Sequence, residues 1–201
     1  MRSQWYVDID KLAVRIRSGE IGVFPCDTIW GIVGLADPGV ARRVQSIKKR
    51  EADRPFLVLI GDFDGIEQIA GDVPYRIWPL LQRFWPGPLT VILEKHDQLD
   101  AVITGGRHSI GVRLPDYEPL NRLLHAVGKP LISTSLNISG TAHEGRLQLA
   151  KWQSRVDFVY DKVDPRLGIE STVVDGVASP FRLLRKGANA DAVSAFLEVV
   201  G

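Results

Sequence analysis

The run Phe56-Leu57-Val58-Leu59-Ile60 constrains the fold more than any other stretch of this chain. It is entirely apolar and ends at the turn pair Gly61-Asp62, so it leaves no face for solvent and predicts a strand buried on both sides. Such a strand needs neighbours in a sheet and helices packed over that sheet. Short apolar runs at 21–24, 30–35, 89–93, 109–113, 130–132, 156–160, 172–174 and 181–184, bounded by turn residues, supply the neighbours.

Amphipathic stretches supply the helices. Ile9, Leu12, Ala13 and Ile16 keep helical spacing behind a capping Asp8, with Gly19 as the stop. Asp37-Pro38 opens a second helix with Val40, Ala41, Val44 and Ile47 on its apolar face and Lys48-Lys49-Arg50 at its end. Ile77, Leu80, Leu81 and Phe84 mark a third, broken by Trp85-Pro86-Gly87-Pro88 because proline and glycine cannot continue it. A fourth begins near Asp116, turns Leu120, Leu123, Leu124 and Val127 inward, and stops at Gly128. Val193, Phe196, Leu197 and Val200 mark the last. A short helix is expected within 63–70, a polar loop over 95–108, and a long, mobile polar loop over 140–152. Strands that follow one another directly, 21–24 with 30–35 and 172–174 with 181–184, imply antiparallel pairs. The expectation is an α/β fold, a three-layer sandwich around a twisted, mixed parallel/antiparallel sheet, in one domain over residues 1–201.

Composition narrows the function classes. The single Cys26 allows neither an internal disulfide nor a multi-cysteine zinc site, which suits a reducing compartment. No apolar run approaches the roughly 18 residues of a membrane-spanning helix, and the first residues lack the apolar core of a signal peptide. A cytoplasmic protein without a membrane partner is expected. Net charge is only +1, yet Arg42, Arg43, Lys48, Lys49, Arg50 and Arg54 crowd between 42 and 54. That crowding fits contact with phosphate or RNA, and equally a solvated helix face.

Phosphate-loop, dinucleotide-binding, nucleophile-elbow and zinc-protease motifs are all absent. The four histidines have no metal-ligand spacing, and Cys26 has no histidine or asparagine tied to it by sequence. What remains is a set of polar groups at strand ends. Thr28 follows the first strand, and Lys48 and Arg50 end the second helix. Ser109 and Arg113 share one face of their strand. Thr134, Ser135 and Asn137 follow the 130–132 strand, Ser171 precedes another, and Arg185 follows the last. Lys, Arg, hydroxyl and amide groups without a general-base histidine suit phosphates and carboxylates. They would act by positioning and by neutralising charge that develops in phosphoryl transfer.

In chain order, Phe24-Pro25-Cys26-Asp27-Thr28-Ile29-Trp30-Gly31, Ile47-Lys48-Lys49-Arg50 with Arg54-Pro55-Phe56, Trp85-Pro86-Gly87-Pro88-Leu89-Thr90 and Gly111-Val112-Arg113-Leu114-Pro115 resemble the YrdC-like family. So do Lys129-Pro130-Leu131, Thr134-Ser135-Leu136-Asn137-Ile138-Ser139-Gly140, Ser171-Thr172-Val173-Val174-Asp175 and Leu184-Arg185-Lys186-Gly187. The resemblance implies threonylcarbamoyl-AMP synthesis from L-threonine, bicarbonate or CO2, and ATP, with Mg2+ assisting and pyrophosphate released. It implies a downstream transferase complex that passes the threonylcarbamoyl group to tRNA. Residue by residue, it implies that Lys48, Arg50, Ser135 and Asn137 hold bicarbonate and the ATP phosphates, with no metal ligand among the side chains. It further implies that Arg54, Ser109 and Arg185 contact the nucleotide, and that Thr28, Arg113, Ser133 and Ser171 contact threonine. Cys26 stands where the family usually has Thr, Glu51 where it has Pro, and Leu136 where it has Ala. The expected form is the short, single-domain one. The alternatives are a protein of the same fold that binds tRNA or double-stranded RNA without this activity, and a different ATP-dependent carbamoyl transfer.

Overall fold

The computed structural model describes residues 9–136 and 149–200. Their strands form one nine-stranded sheet: β1 (Gly22–Pro25), β2 (Trp30–Leu35), β3 (Leu57–Leu59), β4 (Leu89–Glu94), β5 (Ser109–Arg113), β6 (Leu131–Ser135), β7 (Phe158–Val159), β8 (Thr172–Asp175) and β9 (Arg182–Arg185). The order across the sheet is β7-β1-β2-β6-β3-β5-β4-β8-β9. Strands β1/β2 and β8/β9 pair antiparallel, as their short connections require, whereas β3/β5, β4/β8 and β1/β7 pair parallel. The fold is therefore the α/β sandwich with a mixed sheet that the apolar runs imply.

Helices α1 (Ile9–Arg17), α2 (Pro38–Lys48), α3 (Trp78–Phe84), α4 (Ala101–Thr104), α5 (Glu118–Val127), α6 (Leu149–Trp152) and α7 (Ala190–Val200) flank the sheet. Asp37 caps α2, its Oδ1 accepting from Gly39 N at 2.8 Å and Val40 N at 3.1 Å. Lys49 closes the same helix in the left-handed conformation, at φ 50°. That reversal separates Lys48, which stays on the buried side of the helix, from Arg50, which leaves it.

Several expected boundaries shift. The 130–132 strand runs on to Ser135, so Ser133, Thr134 and Ser135 lie within a strand and alternate between its faces. The 63–70 stretch forms only a 3-10 turn at Phe63–Ile66. Residues 95–108 contain α4, too short for periodicity to reveal. Helix α5 does begin beside Asp116, with Tyr117 at its cap, and Asp116 itself accepts from Arg166 at 2.8 Å. The capping Asp8 and most of the expected 140–152 loop lie outside the described residues; α6 occupies the loop's last part.

The two faces of the sheet are covered unequally. One carries the larger core, with Val23, Ile32, Val58, Val91, Val112, Ile132 and Val174 buried beneath apolar residues of α2, α3, α4, α6 and α7. The other packs Phe24, Val33, Leu59 and Leu131 against only α1 and α5. The pleat places Gly31, Ser133, Ser135, Leu57, Gly111, Arg113, Ile92, Thr90 and Val173 on that same second face, and apart from Leu57 none of them belongs to the core that α1 and α5 cover. This uncovered part of the face is a cleft.

Candidate functional site: a cleft with two unlike ends

The cleft has a volume of about 360 Å³. Gly31 and Gly111 keep its floor low. A Cβ on Gly31 would lie 3.1 Å from Ser133 Oγ, and one on Gly111 would lie 3.2 Å from Thr90 Cγ2. Thr28, Arg50, Arg113, Ser133, Ser135, Ser171 and Arg185 all line it, so residues from six separate segments of the chain converge here.

At one end Arg113 is 2 % exposed and Asp27 0 % exposed, and they form an ion pair, Nη2 to Oδ1, at 2.9 Å. Arg113 Nη1 donates to Thr28 Oγ1 at 3.1 Å, while its Nε has no partner among the described residues. The backbone carbonyls of Asp27 and Thr28 accept from Leu167 N at 2.9 Å and Gly168 N at 2.8 Å, which fastens this turn to the loop ahead of β8. Removing one partner of such a buried pair typically costs about 3–5 kcal/mol, because the other charge is left uncompensated. Cys26 lies beside the pair, 3 % exposed. Burial pushes its thiol up to about 12, Arg113 only partly opposing this, so it is a packing group and not a nucleophile.

Cations gather at another edge. Lys48, though on a helix behind the sheet, reaches past the end of β6, where Nζ donates to Thr134 Oγ1 at 3.3 Å and to the carbonyl of Ser135. Arg50 Nη1 also donates to Thr134 Oγ1, at 3.2 Å, and Nη2 donates to the Pro55 carbonyl at 2.7 Å. Its guanidinium lies 5.2 Å from the Phe56 ring centroid. Both cations are held by neutral oxygens and by no carboxylate among the described residues. Burial, then the charges of Arg50 and Arg54, lowers the Lys48 ammonium to about 8. Burial and Arg54 lower Arg50 as well. Cations destabilised in this way gain from an arriving anion.

Arg185 is placed by three bonds. Nη1 donates to Glu170 Oε2 at 2.7 Å, Nε to the Ser171 carbonyl at 3.1 Å, and Nη2 to Ser171 Oγ at 3.1 Å. Ser171 Oγ in turn lies 2.8 Å from Thr90 Oγ1, joining this corner to β4.

Three sequence-identified residues do not line the cleft. Ser109 shares the face of Gly111 and Arg113 but sits at the far end of β5, paired with Glu94. Arg54 is exposed and bridges to Glu51 at 3.0 Å. Lys48 touches the cleft's wall from behind, through Ser135. Asn137 lies outside the described residues. In the other direction, Asp27 fixes Arg113, Glu170 fixes Arg185, and Thr134 fixes both Lys48 and Arg50; sequence reasoning placed Thr134 among the strand-end polar groups but gave none of the three a residue-specific role. The signal available for each was its place next to an identified residue: Thr28, Ser135 and Ser171 respectively.

The family model Sua5_yciO_yrdC, described as telomere recombination, matches residues 14–187. A threonylcarbamoyl-AMP synthase of Pyrococcus abyssi is 35 % identical over 178 residues, 86 % of this chain and 52 % of that protein. One of Bacillus subtilis is 30 % identical over 199 residues, 92 % of this chain and 58 % of that protein. The chain thus spans little more than half the length of these curated relatives. Among solved structures, P. abyssi Sua5 complexed with L-threonine superposes with a TM-score of 0.84 at 34 % identity, covering 89 % of this chain and 54 % of that one. E. coli YciO, at 22 % identity and a TM-score of 0.79, covers 90 % of this chain and 89 % of its own, and shares the fold. With sequence blocks, sheet and cleft in agreement, the chain belongs to the Sua5/YciO/YrdC family.

Proposed function

We propose that this chain makes L-threonylcarbamoyl-adenylate from L-threonine, bicarbonate or CO2, and ATP, releasing pyrophosphate, as a step in tRNA threonylcarbamoyladenosine modification. The observation that carries the reading is the cleft's charge layout. A compensated Arg113–Asp27 pair stands at one end, and Arg50 stands at the other with Lys48 behind the adjoining wall, both cations without counter-ions among the described residues. The names of the P. abyssi and B. subtilis relatives support the activity, and the L-threonine complex of P. abyssi Sua5 supports the amino acid.

On this reading Thr28, Arg113, Ser133 and Ser171 hold threonine, the arginine supplying a planar donor edge for a carboxylate. The threonine amine attacks CO2 and loses a proton, giving a carbamate. The carbamate oxygen then attacks the α-phosphorus of ATP, and pyrophosphate leaves. Both steps concentrate negative charge, which Lys48, Arg50 and Arg185 offset, with Ser135 and Asn137 proposed to help hold bicarbonate and the phosphates. No side-chain nucleophile is required, in keeping with the inert Cys26. Arg54 and Ser109, outside the cleft, are proposed to meet the nucleotide at its edge. Among the described residues no three His, Cys, Asp or Glu side chains converge as a metal cage. Mg2+ is therefore proposed to arrive with ATP, coordinated by phosphate oxygens and water, as that ion prefers.

The basic stretch between 42 and 54 gives little support to the RNA-binding alternative. Arg43 pairs with Asp157 at 2.6 Å, Arg54 pairs with Glu51, Lys48 is buried and Arg50 lines the cleft. The cations disperse instead of forming one exposed strip. Among the described residues no helix is long and apolar enough to cross a membrane. A cytoplasmic site of action, with transfer of the product to a tRNA-modifying complex, completes the proposal. Pyrophosphate release from ATP and Mg2+, measured with threonine and bicarbonate omitted in turn, tests it. Release should need both co-substrates and fall at least about a hundredfold in Lys48→Ala. Release indifferent to threonine sinks the reading.

A further inference from the structure

Asp27 does more than fill space beneath the cleft. Its carboxylate holds Arg113 Nη2 at 2.9 Å and accepts from Asp116 N at 3.4 Å. Nη1 donates to Thr28, and Nε has no partner among the described residues, in a side chain 2 % exposed that borders the cleft. An unpaired buried N–H is costly and rare, and a bound ligand oxygen removes that cost. The pair as a whole is neutral, whereas among the described residues Lys48 and Arg50 meet only hydroxyl and carbonyl oxygens.

We propose that Asp27 is the positioning residue that sorts the two substrates between the ends of the cleft, reserving the Arg113 end for a zwitterionic amino acid and leaving polyphosphate to Lys48 and Arg50. The inference rests on the function proposed above and adds which residue keeps the substrates apart. A neutral ion pair presents a short dipole, whose attraction for a polyanion falls off faster than that of a single charge. A zwitterion brings no net charge, so it gains from the oriented guanidinium that borders the cleft without needing an excess cation. Without the Asp27 charge, Arg113 becomes an uncompensated buried cation that attracts any anion, pyrophosphate included. It also loses the bond that fixes its plane.

The test is equilibrium binding of L-threonine and of inorganic pyrophosphate, singly and in competition, by calorimetry on the full chain and on Asp27→Asn. Asn is nearly isosteric and keeps an acceptor for Asp116 N–H. In the wild type, both ligands should bind together without displacing each other. In Asp27→Asn, threonine should weaken by about tenfold or more, and pyrophosphate should now displace it. Asp27→Glu, which keeps the charge but moves it, should weaken threonine without admitting pyrophosphate. Weaker threonine binding in Asp27→Asn without displacement marks a purely structural role and overturns the inference, as does an unchanged variant. If Asp27→Asn does not fold, the wild-type arm still decides, because displacement of threonine by pyrophosphate there overturns the inference. A wild type that binds pyrophosphate but no L-threonine overturns the functional reading itself, and this inference with it.

Discussion

Lys48 shows how burial sets a charge to work. Its ammonium has been taken out of water and set near two arginines, with hydroxyl and carbonyl oxygens as its hydrogen-bond partners among the described residues. Lowered from 10.5 to about 8, it is mostly protonated at neutral pH and loses its charge over the next pH unit or so. The folded chain therefore binds this proton less tightly than the unfolded chain. The resulting penalty on stability is present below about pH 8 and is relieved as pH rises toward 10.5. Function should move the opposite way. ATP affinity of the free protein is expected to fall about tenfold between pH 7.5 and 9.5, as a cation lowered to about 8 is lost. The same titration in Lys48→Met should be flat over that range. A wild-type profile as flat as the variant's contradicts this account of the lysine.

At the scale of elements, β6 does two jobs because its pleat alternates. Ser133 and Ser135 face the cleft side, whereas Thr134 points to the opposite layer and ties both Lys48 and Arg50 to the strand. Hydrogen bonds to charged groups are worth roughly 1.5–3 kcal/mol, so Thr134→Val should raise the KM for ATP about tenfold. The KM for threonine should stay nearly constant, since Thr28, Arg113 and Ser171 are untouched. An equal rise in both constants would show that β6 had been disturbed as a whole. This strand also marks a limit of sequence reading. β2 and β5 are legible to the residue, because apolar runs and flanking turns delimit them. The Ser-Thr-Ser end of β6 lacks apolar alternation and reads as loop, although backbone pairing with β2 continues through Ser135. Helix α4 escapes for a different reason, since its four residues hold barely one turn.

The whole molecule places its site where helices run out. One sheet face is roofed throughout, while α1 and α5 cover only part of the other, and the remaining polar and glycine positions become the cleft. The short apolar runs foretell the layers and about seven to nine strands, against nine among the described residues. They carry no information on strand order, so the meeting of Asp27 with Arg113, or of Thr90 with Ser171, is not readable from spacing. A lone aspartate in a turn reads as turn chemistry until its partner, 86 positions away, is brought beside it. Lys48, Arg50, Ser135 and Arg113 were legible because their types suit anions and their blocks resemble a family. Their supporting residues become visible only in three dimensions. The central claim is that one cleft joins amino acid, CO2 and nucleotide without a covalent enzyme intermediate. The most direct measurement is mass spectrometry of the product formed from ATP, L-threonine and isotope-labelled bicarbonate. Threonylcarbamoyl-adenylate carrying the bicarbonate carbon is predicted, and an unlabelled threonyl-adenylate, or a labelled group attached to the protein, would contradict it.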